Sequence, residues 1–121
     1  VVWSAKISGI PAVGLSVIGG TIVVGSSDRG VYALNTADGR HLWRYEAGGI
    51  IRSTVAMTDQ VVYVAGSAGM LEALSLESGA QIWSYELDGP VHTPVVLARD
   101  LLTVTTQSGT VYLFAAQSAL R

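Results

Sequence analysis

The 121-residue sequence contains no cysteine, few charged residues and no long apolar run, and each absence excludes a class of protein. Without cysteine the chain has no disulfide framework, no thiolate nucleophile and no cysteine-bound metal. No apolar run reaches the roughly 18 residues of a membrane-spanning helix, so we expect no membrane span. The net charge of −2 provides no basic patch, which argues against a nucleic-acid partner.

The low fraction of charged residues indicates that part of the surface is not exposed to water. Charged residues make up 13% of the chain and apolar residues 50%, whereas globular proteins average roughly 25% charged residues. A domain this small normally exposes more charge to water. We therefore expect part of its surface to be covered by another chain or by further sequence. The absence of an initiator methionine and of a signal-like start indicates a trimmed or mature segment.

What the sequence does contain is a repeat of 40 residues that runs through the chain without a gap. The interval separates three tryptophans, Trp3, Trp43 and Trp83, and three glycines, Gly9, Gly49 and Gly89. Apolar residues also recur at this 40-residue interval. Such a period is the sequence signature of a repeat architecture.

Each repeat contains four short segments rich in β-branched and aromatic residues, separated by turn residues every eight to twelve positions. This pattern predicts an all-β fold of β-propeller blades, each with four antiparallel strands, and about three blades in this chain. A β-sandwich is the alternative, but a sandwich does not require a gap-free period. The strands are predicted near residues 12–18, 21–26, 30–35, 40–46, 51–57, 61–66, 70–76, 80–86, 91–98, 101–106 and 109–115.

The period also predicts how the segment, residues 1–121, is divided. Residues 11–46 form one blade, residues 51–86 a second, and residues 91–115 a third that lacks its fourth strand. Residues that occupy the same position in successive repeats form what we call a column. Residues 1–6 are expected to be an orphan outer strand, because Trp3 lies in the column of Trp43 and Trp83.

Residues 23–35 read V-V-G-S-S-D-R-G-V-Y-A-L-N, and residues 37–43 read A-D-G-R-H-L-W. This repeat resembles that of the pyrroloquinoline-quinone-like (PQQ-repeat) β-propellers. The second unit keeps the pattern, and the third keeps it except that Ala119 replaces the turn glycine. The resemblance covers essentially the whole chain. It implies a ring of seven or eight blades in which Trp3, Trp43 and Trp83 dock between adjacent blades, with Gly39 and Gly79 leaving room for the rings.

A second interpretation of the tryptophans is ligand stacking, but repetition in every blade favours a structural role. An indole buries a large flat area, and its N–H needs one acceptor, which a neighbouring blade can supply.

The family includes quinoprotein dehydrogenases, which carry a quinone, a Ca²⁺ ion, an aspartate base and often a cysteine pair. That set cannot be assigned here, so we expect no cofactor, no metal and no catalytic residue. The family also includes the propeller lipoproteins of the outer-membrane β-barrel assembly machinery. The favoured interpretation is therefore a non-catalytic scaffold that binds another protein, with a periplasmic or cell-envelope location. The alternatives are a piece of a dehydrogenase whose cofactor residues lie on other blades, or a module concerned only with assembly.

Three polar residues depart from the apolar pattern. Arg52 and His92 share a column on the predicted innermost strand, where they could line the central channel and meet a ligand or water. Glu72 replaces the tyrosine of its column, and we expect it to be partly buried and to make a polar contact with the next blade.

Three blades cannot close a ring, since propellers have roughly four to eight. Two chains could exchange residues 1–6 and close a ring of six blades around a two-fold axis. The competing explanation is a longer propeller whose other blades complete the ring.

Overall fold

The computed structural model describes residues 1–115, and it contains strands and turns but no helix within them. The eleven strands are β1 (Ser16–Ile18), β2 (Thr21–Gly25), β3 (Gly30–Asn35), β4 (His41–Glu46), β5 (Ala56–Met57), β6 (Val61–Ala65), β7 (Met70–Ser75), β8 (Gln81–Glu86), β9 (Val96–Ala98), β10 (Leu101–Thr105) and β11 (Val111–Ala115).

The strands form three separate antiparallel sheets, which we call the first, second and third blades. Their orders are β1-β2-β3-β4, β5-β6-β7-β8 and β9-β10-β11. Each sheet is a meander in which consecutive strands are neighbours. The predicted all-β class and the blades of a partial propeller are confirmed.

The first two blades repeat each other in detail. Trp43 pairs with Ala33 across β3 and β4, and Trp83 pairs with Ala73 across β7 and β8. The register shifts by one residue immediately after each of these alanines. The turn before each outer strand contains a glycine at positive φ, Gly39 in one blade and Gly79 in the other. Few side chains adopt this conformation, so glycine suits the turn.

The apolar core lies between the blades. One cluster joins β2 and β3 of the first blade to the second blade, and the other joins the second blade to the third. Along β6, Val62 and Val64 belong to one cluster while Val61 and Tyr63 belong to the other. Successive strand residues face opposite sides of a sheet, and here both sides are covered. This explains why residues 61–65 are apolar without alternation.

The innermost strands are shorter than predicted. β1, β5 and β9 have three, two and three residues, and residues 12–15, 51–55 and 91–95 lie outside them. Several of their amides bond instead to an adjacent blade: Ile51 N–H donates to Ser26 O (3.2 Å), and Val91 N–H donates to Gly66 O (3.0 Å). These amides are therefore not available to a ladder within their own blade.

Residues 1–6 do not form the strand that the sequence predicts. In the two complete blades the outer strand pairs with β3 or β7 of its own sheet. Residues 1–6 have no such neighbouring strand among residues 1–115, and a strand requires one. Ala119, which replaces the turn glycine in the third repeat, lies outside the described residues. Across residues 1–115, no helix has the length and apolarity to cross a bilayer.

Candidate functional site

Trp3 and Trp43 occupy matching positions at the boundaries between repeats. The indole N–H of Trp3 donates to Thr36 O, and that of Trp43 donates to Leu76 O, each at 2.8 Å. Both rings are half-buried. Each acceptor lies 33 residues after its tryptophan, in the blade that follows.

The turn glycines lie directly against these rings. A Cβ atom added to Gly39 would be 2.4 Å from Trp3 Cε3, and one added to Gly79 would be 2.6 Å from Trp43 Cδ2. Real Cβ atoms essentially never approach so closely, so any side chain at either turn would have to displace an indole.

Trp83 has a different environment from Trp43. Its ring lies 6.3 Å from the ring of Tyr63 and 6.2 Å from that of Phe114, both in tilted geometry. Aromatic pairs at these separations contribute to stability beyond their buried area. The residue that would correspond to Thr36 and Leu76 is 116, which lies outside the described residues.

Glu72 is buried at the boundary between the first and second blades, with 6% of its surface exposed. It accepts hydrogen bonds from the Tyr45 hydroxyl and from Gly48 N–H (3.3 Å). The Gln81 amide donates to the Tyr45 oxygen at 3.1 Å and to Glu72 at 3.4 Å. The expected burial and polar contact are present. The direction was wrong, since Tyr45 and Gly48 precede the second blade.

This setting changes the acidity of the phenol. Burial, together with the neighbouring Glu72 carboxylate, raises the pKa of Tyr45 to about 12. Burial also raises the pKa of Tyr63. Tyr45 therefore stays neutral and donates to Glu72 over the whole physiological range.

In the third blade a tyrosine takes the place of Glu72 as the hydrogen-bond acceptor. Tyr112 lies in the column of Glu72, and its hydroxyl accepts from Asp88 N–H at 3.0 Å, as Glu72 accepts from Gly48 N–H. The Asp88 carboxylate accepts from the Thr106 hydroxyl (2.6 Å) and from the Thr110 hydroxyl. These two hydrogen bonds lower the pKa of Asp88.

A charged cluster occurs on the first blade but not at the matching positions of the second. Arg44 donates to the Tyr32 hydroxyl (3.1 Å) and to Glu46 (2.7 Å), lies 3.4 Å from an Asp28 carboxylate oxygen, and covers the Tyr32 ring at 5.4 Å. Hydrogen bonds to Tyr32 and Glu46 raise the pKa of Arg44. Burial opposes ionisation of Asp28, but hydrogen bonds, first from Tyr32, and the charge on Arg44 hold its pKa below the ordinary value. Asp28, Tyr32, Arg44 and Glu46 thus form one cluster that is held by hydrogen bonds and ion pairs.

Arg52 lies beside a cleft at the innermost part of the boundary between the first two blades. The cleft has a volume of about 280 Å³ and is lined by residues 10–13, Ser27, Ile51 and Arg52. His92, the residue of the third blade in the Arg52 column, is half-buried and is not part of this lining. Of the two residues, only Arg52 lines this cleft, and the channel-lining role of both stays a prediction.

The cleft was not predicted from the sequence. Its apolar residues looked like ordinary strand positions, and the available signal was a break in the repeat: Val13 stands where the second blade has Ser53. Across residues 1–115, no group of three or more histidine, aspartate or glutamate side chains is arranged to hold a metal ion.

Taken together, three consecutive meandering blades, with tryptophan and glycine repeated where the first repeats meet, are those of a PQQ-repeat β-propeller segment. Comparison with known proteins makes the assignment more specific. The model of the family described as outer membrane protein assembly factor BamB matches residues 1–121, and the chain belongs to this family.

The similar proteins include BamB of Salmonella typhimurium strain LT2, which is 36% identical over 57 residues. That match covers 47% of this chain and 14% of the relative. The crystal structure of BamB from Moraxella catarrhalis has a TM-score of 0.74 at 20% identity, covering 86% of this chain and 33% of that one. A quinohemoprotein alcohol dehydrogenase from Pseudomonas putida HK5 has a TM-score of 0.83 at 22% identity, covering 95% of this chain and 20% of that one. The chain thus spans a third or less of each protein.

The contact of Gly79 with Trp43 predicts a coupled loss of stability. Gly79→Ala should cost roughly 2–4 kcal/mol of unfolding free energy, because the new methyl group meets the indole at a positive φ. With Trp43→Ala already present, the cost should fall to about 1 kcal/mol, the backbone part alone. Urea denaturation of the four variants measures this coupling.

Gly19→Ala is the matched control, since Gly19 also has a positive φ but has no atom within 4 Å of its added Cβ. Its cost should be about 1 kcal/mol whether or not Trp43 is present. An equal cost of Gly79→Ala with and without Trp43 would show that the glycine and the indole are not energetically coupled.

The raised pKa of Tyr45 predicts that the chain loses stability in alkali. The folded phenol has a pKa of about 12 against 10.0 in the unfolded chain, so its contribution is complete below pH 10 and is lost as the pH rises to 12. Tyr45→Phe should reduce the fall in unfolding free energy between pH 10 and pH 12, with Tyr63 accounting for part of what remains. Glu72→Gln should act in the same direction, and unchanged slopes in both variants would contradict the assignment.

Proposed function

We propose that the chain is part of a non-catalytic propeller that binds protein partners during outer-membrane protein assembly in the cell envelope. The observation that carries this proposal is the match of the BamB family model over residues 1–121. The repeated boundaries supply its physical basis. The indole N–H groups of Trp3 and Trp43 and the carboxylate of Glu72 all have hydrogen-bond partners within the fold, which supports a structural role for these residues in a scaffold.

A dehydrogenase segment is the second candidate. Its support is the TM-score of 0.83 to the quinohemoprotein alcohol dehydrogenase, but 22% identity is evidence for the fold alone. The site residues favour the scaffold, because the carboxylates of Glu72, Asp28 and Asp88 have partners within the fold. Arg52 and His92 are proposed to face the channel as contact residues without a catalytic role.

The proposal also includes the surfaces that complete the ring. On the third blade, Val96, Leu101, Val111 and Leu113 are exposed, whereas the corresponding residues of the second blade are buried. The opposite end shows the same contrast, since Leu15 and Val17 are exposed and Val55 and Met57 are buried. We infer that both faces are covered by further blades, from the same protein or from a second copy.

The function is tested in a bacterium that carries the gene of the full-length protein. Removing that protein should lower the amounts of outer-membrane proteins measured in isolated membranes, and restoring the gene should return them. Unchanged outer-membrane proteins, together with quinone-dependent dye reduction by the purified full-length protein, would favour the dehydrogenase.

Exposed blade faces predict that the 121-residue chain associates with itself. Light scattering should give a particle heavier than the 12.6 kDa monomer, because burying each large apolar side chain stabilises contact by roughly 1.5–3 kcal/mol. Leu113→Lys should shift the particle toward monomer, since Leu113 is 64% exposed on the uncovered face. Asp59→Lys, on an exposed turn, is the control for added positive charge. A folded monomer at micromolar concentration would rule out the second copy.

A further inference from the structure

The seam between the innermost segments of the first two blades has a surface that the scaffold does not use. Residues 10–13 form one side of the cleft described above, and Ile51 and Arg52 form the other. Ile51 is buried, so it supplies the least exposed part of the lining, while Ile10 and Val13 are 74% and 88% exposed. Large apolar side chains that are exposed together mark a binding surface more often than scattered ones do.

Arg52 is the only charged residue of this lining. Within residues 1–115 its side chain makes no ion pair and no hydrogen bond, although its carbonyl accepts from Val13 N–H at 3.4 Å. Arg29 and Arg44, in contrast, are paired with acids of the first blade. The cleft therefore combines an apolar floor with one uncompensated guanidinium.

The repeat provides an internal comparison for this seam. In the second blade the position of Val13 is taken by Ser53, which is buried and donates to Thr93 O at 2.8 Å. That hydrogen bond connects the innermost segments of the second and third blades. Valine has no hydroxyl to make such a bond, and the first seam has an open apolar surface at this point.

We propose that this cleft binds an extended acidic–hydrophobic segment of a partner protein. An apolar side chain of the segment packs on Pro11, Val13 and Ile51, and the carboxylate of an adjacent aspartate or glutamate pairs with Arg52. A guanidinium favours a carboxylate because its planar N–H groups can donate two parallel hydrogen bonds. The chain's low charge leaves no acid in the lining to compete. This inference rests on the proposed protein-binding function and gives it a site.

The test uses ¹⁵N-labelled 121-residue chain titrated with short Gly/Ser peptides that contain one apolar residue followed by aspartate or glutamate. The expected result is a saturable shift of the amide signals of Val13 and Arg52. Replacing the acid by asparagine should weaken binding about threefold, the range of a partly exposed ion pair. Replacing the apolar residue by serine should weaken it further.

Charge reversal separates recognition from folding. Arg52→Glu should weaken binding of the acidic peptides about tenfold, and it should give measurable binding of peptides in which lysine replaces the acid. Val13→Ser, which introduces the residue of the next repeat, should weaken both. Arg40→Glu is the control, because Arg40 is exposed on a turn and does not line the cleft.

Two results would overturn the proposal. If acidic and asparagine peptides bind equally, or Arg52→Glu does not invert the preference, Arg52 does not select a carboxylate. If no peptide shifts the cleft signals, the cleft is not a peptide site. Either outcome leaves the scaffold function standing, because that function is judged separately from the outer-membrane proteins of the cell.

Discussion

The structure depends on one constraint: each blade is a single sheet with apolar side chains on both faces, and neither face can be left to water. Along β6, Val62 and Val64 face the first blade while Val61 and Tyr63 face the third. A lone blade would expose all of them, and roughly 25 cal/mol is at stake for each Å² of apolar surface. The indole hydrogen bonds of Trp3 and Trp43 and the cross-blade amide hydrogen bonds also connect consecutive repeats.

The polar part of each boundary is less uniform than the apolar part. Between the first two blades, a buried carboxylate on Glu72 accepts from Gly48 N–H and from Tyr45. Between the second and third, the Tyr112 hydroxyl accepts from Asp88 N–H. Gly48 and Asp88 occupy equivalent positions in the repeat, so each arrangement provides an acceptor for the same backbone N–H of its repeat, which would otherwise have no partner at the boundary. The repeat therefore fixes the position that must accept a hydrogen bond, while the chemical group that accepts it can change.

The fold could be predicted from the sequence because its cause is periodic. The tryptophans, the turn glycines and the β-branched runs recur every 40 residues, and they place strands, turns and boundaries. The prediction failed where an interaction lies outside the repeat unit. Residues 51–55 look like a strand, but Ile51 N–H bonds to Ser26 of the neighbouring blade. Residues 1–6 also look like a strand, but strand structure depends on a partner that residues 1–115 do not supply. The polar contact of Glu72 was predicted with the next blade but is made on the opposite side, because the sequence pattern does not show which face of a blade a side chain occupies.

A repeated chain also separates structure from function in a way that a single domain does not. A residue type that recurs every 40 residues, as tryptophan does at positions 3, 43 and 83, has its simplest interpretation in the architecture that repeats with it. A residue that departs from its column and has partners, as Arg44 does on Asp28, Tyr32 and Glu46, is explained by its own blade. The side chain of Arg52 has no such partner within residues 1–115, although it lies next to an apolar cleft. Within residues 1–115 no hydrogen bond or ion pair between the blades uses the Arg52 guanidinium, which leaves it free to pair with the carboxylate proposed for it on another molecule.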